Sequence, residues 1–189
     1  VYDPSDPTWT GRDRFFLDPG HMSPMLYAGL AMRGFFTLDD LQQFRQWGSV
    51  TPGHPELDVA RGIENSSGPL GQGHAIAAGA AVAEKFLEAR LGSTMMQHKI
   101  YAYISDGAVE EEISQGVGRI AGNLGLNNLI MFYDSNDIQL STECGVVMTE
   151  NTEMKYKAWG WNVTQNNGKD VAQIREETTA AQQEQERPT

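Results

Sequence analysis

Asp106 and Asn136 are the residues whose types and spacing most readily suggest chemistry. Asp106 follows the apolar run Ile100-Tyr-Ala-Tyr-Ile104 within Ser105-Asp106-Gly107, and Asn136 follows Leu129-Ile-Met-Phe-Tyr133 within Asp134-Ser-Asn136-Asp137-Ile138. Both runs are short and rich in Ile and Tyr, the pattern of buried strands. Neighbouring parallel strands lie roughly 5 Å apart. A carboxylate and an amide oxygen then converge on the carboxyl edge of a sheet, where open α/β folds bind ligands. With a nearby backbone carbonyl, that set suits a hard cation such as Mg²⁺ or Ca²⁺, which takes its remaining ligands from phosphates and water. Gly107 lets a ligand approach the backbone. The spacing therefore points to a metal-bridged diphosphate site. The same residues also make an ordinary Asp-Gly turn and a loop asparagine, and both readings stand at this point.

The elements that must position this pair are legible around it. Ile113, Val117, Ile120, Ala121 and Leu124 recur at helical spacing between the two strands, which makes a β-α-β unit with parallel strands. Arg14-Phe-Phe-Leu17 reads as a further strand, broken by Asp18-Pro-Gly-His21. Ser23 to Gly34 reads as a helix with Met25, Leu26, Leu30 and Met32 as core candidates. Thr37-Leu-Asp-Asp40 resembles a capping box and predicts a helix running to about Trp47. Residues 57–65 read as loop, and the alanine-rich run from Ala75 to Leu91 as a closely packed helix. Glu143 to Met154 reads as irregular, Met154 to Trp159 as a short helix, and Trp161-Asn-Val-Thr164 as a strand. Asn167-Gly168 is a turn, and Val171 to Glu186 predicts a helix with Val171, Ile174 and Ala181 on its apolar side.

Two loops add candidate ligand-facing groups. His21 comes directly after a turn at a strand end, and His54 sits in Thr51-Pro-Gly-His54-Pro-Glu56, stiffened by two prolines. Each also reads as an ordinary loop or turn histidine. Gly68-Pro-Leu70-Gly-Gln-Gly73 precedes the alanine-rich helix, so its backbone N–H groups and the helix dipole favour an anion. It lacks the Gly-Lys-Ser/Thr of a nucleotide P-loop and the spacing of a dinucleotide fingerprint.

Composition narrows the partners. The 189 residues suffice for one domain with a sizeable core, and no internal repeat or low-complexity tract is visible. A formal net charge of −11 without a basic stripe argues against nucleic acid. The single cysteine, Cys144, excludes an intrachain disulfide and points to a reducing, cytoplasmic setting. No apolar run approaches the roughly 20 residues of a membrane span.

Five pieces in order resemble the thiamine diphosphate-binding domain of transketolase. They are Asp13-Arg-Phe-Phe-Leu-Asp-Pro-Gly-His21, Phe44-Arg-Gln46 with the Thr51–Glu56 turn, Gly68–Gly73, Asp106-Gly107 and Tyr133-Asp-Ser-Asn136. The resemblance covers nearly the whole chain. It implies a three-layer α/β/α fold with a mostly parallel sheet, and one partial diphosphate-binding domain over residues 1–189. It further implies that Asp106, the Asn136 side chain and the Ile138 carbonyl hold Mg²⁺, Ca²⁺ or Mn²⁺. Gly107 contacts the diphosphate, Gly68 and Leu70 touch the aminopyrimidine through main-chain atoms, and His21 and His54 serve the reacting sugar, His21 also lying near the diphosphate. Glu111 matches a family glutamate at the cofactor-side interface of a homodimer.

The implied reaction moves a two-carbon ketol unit from a ketose phosphate to an aldose phosphate, within the pentose phosphate pathway. Family enzymes carry a leader histidine, an aminopyrimidine-binding domain and a C-terminal domain outside these residues, so the chain alone is expected to be inactive. A split enzyme's subunit and a non-catalytic diphosphate-binding module are the alternatives. Two departures stand out. The family's Gly-Asp-Gly is Ser105-Asp106-Gly107 here, and Gly116 stands where the family motif has a second glutamate.

Overall fold

Three parallel strands in the order β1-β2-β3 carry the computed structural model, which describes residues 2–93 and 97–189. They are β1 (Arg14–Leu17), β2 (Ile100–Ser105) and β3 (Leu129–Asp134). The α-helices are α1 (Ser23–Met32), α2 (Leu38–Gln42), α3 (Gln72–Leu91), α4 (Asp106–Glu110), α5 (Glu112–Leu124), α6 (Cys144–Val147), α7 (Thr152–Ala158) and α8 (Val171–Gln183). Among the described residues no helix is long and apolar enough to cross a membrane.

Strand alternation sorts the sheet into two apolar faces. Phe16 pairs with Ala102 and points to one face, where Ile100, Ile104 and Leu129 pack with Ala77, Ala78 and Ala81 of α3 and Ala121 of α5. Leu17 pairs with Tyr103 and points to the other, against Leu26, Tyr27 and Leu30 of α1. Gln182 of α8 donates to the Tyr101 hydroxyl at 2.7 Å on that second side. Helices therefore cover both faces, the three-layer α/β arrangement expected. The register Ser105↔Asp134 ends β2 and β3 side by side.

Close packing explains where the structure departs from the sequence expectations. The inward residues of α5 are Ser114, Gly118 and Ala121, while Ile113, Ile120 and Leu124 stay 47%, 56% and 53% exposed. Small residues are needed there because a Cβ on Gly118 would already lie 3.1 Å from the Trp159 ring. On α1 the inward set is Ser23, Leu26, Tyr27 and Leu30, a single helical stripe. Met25 and Met32 fall off that stripe and are exposed.

The capping box at Thr37 and Asp40 forms, but α2 stops at Gln42. Arg45 adopts a left-handed backbone (φ 63°) and gives its N–H to the Thr51 carbonyl, which turns the chain away from a helix. Within residues 57–65 a short 3-10 turn spans Val59–Arg61, and Ile63 is buried. Trp161–Thr164 forms no strand. Trp161 is buried with its Nε1–H on the Gly118 carbonyl, and Asn162 makes a single rung to Pro188. α6 and the start of α7 occupy part of the stretch expected to be irregular, and Val171 faces outward.

His74 on α3 is fully buried, with Nδ1 at 2.8 Å from Ser114 Oγ and its ring edge-on to Trp161. Burial holds its pKa down at about 4, against 6.5 in an unfolded chain. Between those values the unfolded state binds the proton and the folded state does not, so stability falls as pH drops through this window. The loss reaches about 3 kcal/mol at the acid end. His98, buried beside Arg14, adds a loss of the same sign. Denaturant melts at pH 7 and pH 5 should show the decline, and His74→Gln should weaken the pH dependence. An unchanged slope in that variant removes His74 as its source.

Candidate cofactor and metal site

The predicted residues gather at the carboxyl ends of the three strands. After β1, the turn Asp18-Pro19-Gly20-His21 closes against two other loops at Gly20. A Cβ there would lie 2.6 Å from His54 Cδ2 and 3.0 Å from the Gly68 nitrogen. His54, Gly68 and the His21 turn are therefore in contact. The His54 turn is held to α1 by Ser23 Oγ on the Gly53 carbonyl (2.7 Å) and Tyr27 OH on the Pro52 carbonyl (2.9 Å). Both histidines remain exposed to solvent. Gly20→Ala should displace His54 while leaving most of the core untouched. A melting temperature close to wild type with the His54 imidazole resonances shifted in an NMR spectrum is the expected result. Unchanged His54 resonances would mean that Gly20 does not set the position of His54.

The glycine-rich loop is tied down at one end by Leu17 of β1 and at the other by Asp18, the residue after it. Asn65 exchanges hydrogen bonds with Leu17, accepting from its N–H at 3.2 Å and donating to its carbonyl at 3.0 Å. Ser67 Oγ donates to the same carbonyl at 2.6 Å. Beyond the loop, the Asp18 carboxylate accepts from the N–H groups of Gly71 and His74, both at 2.9 Å. Burial pushes the Asp18 carboxyl above its ordinary range, against the pull of those N–H groups. A Cβ on Gly107 would meet a Leu70 methyl at 3.4 Å, which links this loop to the end of β2. Glu111 is exposed and packs its Cβ against Gly71.

At β2 and β3 the carboxylate and the asparagine meet. Asp106 is 3% exposed; one carboxylate oxygen accepts from the Tyr133 hydroxyl and the other from the Asn136 N–H at 3.1 Å. The buried Cys144 thiol faces the same carboxylate, and burial together with that negative charge pushes its pKa up. Asn136 Oδ1 accepts from the Ile138 N–H at 3.1 Å, which folds Ile138 back towards the corner. Asp137 between them takes a left-handed backbone (φ 61°), which Asp tolerates better than most residues. Among the described residues no Lys or Arg pairs with Asp106, and no three His, Cys, Asp or Glu side chains gather as a metal cage. A buried carboxylate that takes hydrogen bonds from neutral groups, here the Tyr133 hydroxyl and the Asn136 backbone N–H, suits one hard divalent cation. A polar cavity lined by Glu84, His98 and Asn128 sits away from this cluster, at the amino edge of the sheet.

Asp18, Asn65, Ser67 and Tyr133 escape a reading of the sequence alone. Asp18 reads as a turn residue before Pro-Gly and Tyr133 as strand, and only tertiary contact gives them partners.

This carboxyl-edge cluster on a parallel α/β sheet is that of a cofactor-binding domain. The family model for the thiamine diphosphate-binding domain of transketolase matches residues 1–189. Transketolase from Geobacillus stearothermophilus is 42% identical over 193 residues, covering 100% of this chain and 29% of that protein. The crystal structure of Campylobacter jejuni transketolase superposes with a TM-score of 0.94 at 40% identity, over 99% of this chain and 30% of its own. A Pichia stipitis transketolase in complex with sedoheptulose-7-phosphate gives 0.91 at 34% identity, over 100% of this chain and 29% of its own. The chain belongs to the transketolase family, as its thiamine diphosphate-binding domain. It spans under a third of the length of these relatives.

Proposed function

We propose that this chain forms one wall of a transketolase active site, which transfers a two-carbon ketol unit from a ketose phosphate to an aldose phosphate. The observation that carries the proposal is the contact between the Asp106 carboxylate and Asn136 at the ends of adjacent strands. Asp106, Asn136 Oδ1 and the Ile138 carbonyl would hold Mg²⁺ or a similar cation, whose charge would offset that of the diphosphate. Gly107 offers its N–H to the diphosphate. Gly68 and Leu70 present main-chain atoms to the aminopyrimidine. Thiamine diphosphate, when bound, supplies the nucleophilic carbon and the electron sink for cleaving a bond beside a ketose carbonyl. His54 and His21 orient substrate hydroxyls and move protons at those oxygens, His21 also lying near the diphosphate. The sugar-phosphate class is supported by the Pichia stipitis complex.

The family dimer is part of this reading. Ile113, Ile120 and Leu124 leave an apolar stripe on α5, and Ile113 abuts Gly71 beside the cofactor loop. A second copy covers that stripe, with Glu111 at its cofactor-side rim. The whole operates in the cytoplasm, in the pentose phosphate pathway, without nucleic acid or membrane as partner.

The test is turnover of a ketose phosphate with an aldose phosphate by the full-length protein, with thiamine diphosphate and Mg²⁺. Activity that chelation removes and Mg²⁺ restores is expected. A metal-independent rate counts against the metal assignment, and no rate at all counts against the reaction. Residues 1–189 alone should give no turnover under the same conditions, because one wall cannot enclose the sugar. Turnover by the isolated chain overturns that expectation.

A further inference from the structure

We propose that Asp18 is a positioning residue, the anchor that sets the shape of the Gly68–Leu70 cofactor loop; this rests on the thiamine diphosphate reading above. Helix α3 starts at Gln72 with Gly71 as its N-cap, and glycine has no side chain to satisfy the first N–H groups. Asp18 reaches across from the end of β1 and does so instead, one oxygen on the Gly71 N–H and the other on the His74 N–H. Its carboxylate is 1% exposed and also sits at the positive end of the helix dipole. Gly73 is required by the same contact, since a Cβ there would fall 2.6 Å from the Asp18 Cα. Asn65 and Ser67 fasten the other side of the loop to Leu17, the residue before Asp18. Residues 68–70 are thus a short arch between two fixed feet.

One foot stands on Asp18 in the turn that carries His21, and the other on Leu17 directly before it. Gly20 of that turn touches His54 and Gly68. Asp18 therefore couples the height of the arch to the position of the two histidines. Without Asp18, the N–H groups of Gly71 and His74 lose their acceptor in a buried setting, and the arch is free to shift away from Leu70's contact with Gly107. An arch held in its bound shape spares the ligand the entropy of ordering it.

The experiment compares wild type, Asp18→Ala, Asp18→Asn and Leu30→Ala in the full-length protein. Leu30→Ala serves as a comparator, because Leu30 lies in the α1 cluster, outside the loop, and the change lowers overall stability. Hydrogen exchange of the peptide covering residues 68–76 should speed up in Asp18→Ala and not in Leu30→Ala. Affinity for thiamine diphosphate with Mg²⁺, by calorimetry well below the melting temperatures, should fall about tenfold or more in Asp18→Ala. Asp18→Asn keeps one acceptor and should recover part of it. Leu30→Ala should bind as wild type. Unchanged exchange at residues 68–76 in Asp18→Ala overturns this inference, whatever the cofactor does. Wild-type protein that takes up no thiamine diphosphate overturns the cofactor reading instead, and leaves the exchange result to judge the anchor.

Discussion

Asp106→Asn should fold like wild type yet lose metal-dependent uptake of thiamine diphosphate by at least about 100-fold, a loss of roughly 2.7 kcal/mol. The substitution keeps the shape of the side chain and an oxygen for the Asn136 N–H, so the β2–β3 corner survives. It removes the one formal charge among the three groups assigned to the cation, the others being neutral amide and carbonyl oxygens. A hard dication held by few protein ligands depends steeply on that charge, because water and phosphate compete for every other position. Removing the negative charge also relieves a buried carboxylate that no Lys or Arg pairs with among the described residues, so stability should hold or rise. Calorimetric titration with thiamine diphosphate and Mg²⁺ against a parallel thermal melt separates the two effects. Binding at wild-type affinity by a folded Asp106→Asn protein would remove the metal from this corner.

Gly122→Ala should destabilise the fold by about 3 kcal/mol or more, a typical figure for a severe steric insertion in a packed core. Helix propensity alone argues the other way, favouring Ala over Gly by about 1 kcal/mol inside a helix. Sterics win because the obstacle is backbone. A Cβ at this position on α5 would overlap the Trp159 carbonyl oxygen deeply and lie 2.9 Å from its carbonyl carbon. Trp159 cannot step back, since its N–H donates to the Lys155 and Tyr156 carbonyls at the end of α7, and Trp161 is pinned by its Nε1–H on the Gly118 carbonyl. The cost should appear as a lower denaturation midpoint at unchanged slope. Gly116→Ala, on the same helix with open space around it, serves as the control and should be neutral or stabilising. Equal midpoints for the two variants would show that the α5–α7 contact is looser than described.

Much of this protein is legible from residue order. Short Ile- and Tyr-rich runs mark β2 and β3 because a strand buried on both faces needs apolar residues without interruption. Thr37 and Asp40 announce their capping box because a helix start needs local acceptors for its N–H groups. Pro-bracketed His54, the 68–73 glycines and the Asp106–Asn136 spacing are likewise local signals, and they hold most of the candidate site. What escaped is whatever depends on which surfaces meet. Ile113, Ile120 and Leu124 look like a core stripe, yet α5 turns Gly118 and Gly122 toward Trp159 and Trp161, which leave no room there for branched side chains. Met25 and Met32 are apolar and still face water, since Leu26, Tyr27 and Leu30 already fill the α1 contact. Trp161–Thr164 has strand character, but it finds one rung on Pro188 and no ladder. Asp18 sits 53 and 56 positions from the N–H groups it binds, a distance along the chain that no local pattern encodes. Sequence sets what each segment prefers by itself; the tertiary structure decides which preference is honoured, because close-packed interiors admit few arrangements of volumes and leave few buried backbone N–H groups without an acceptor.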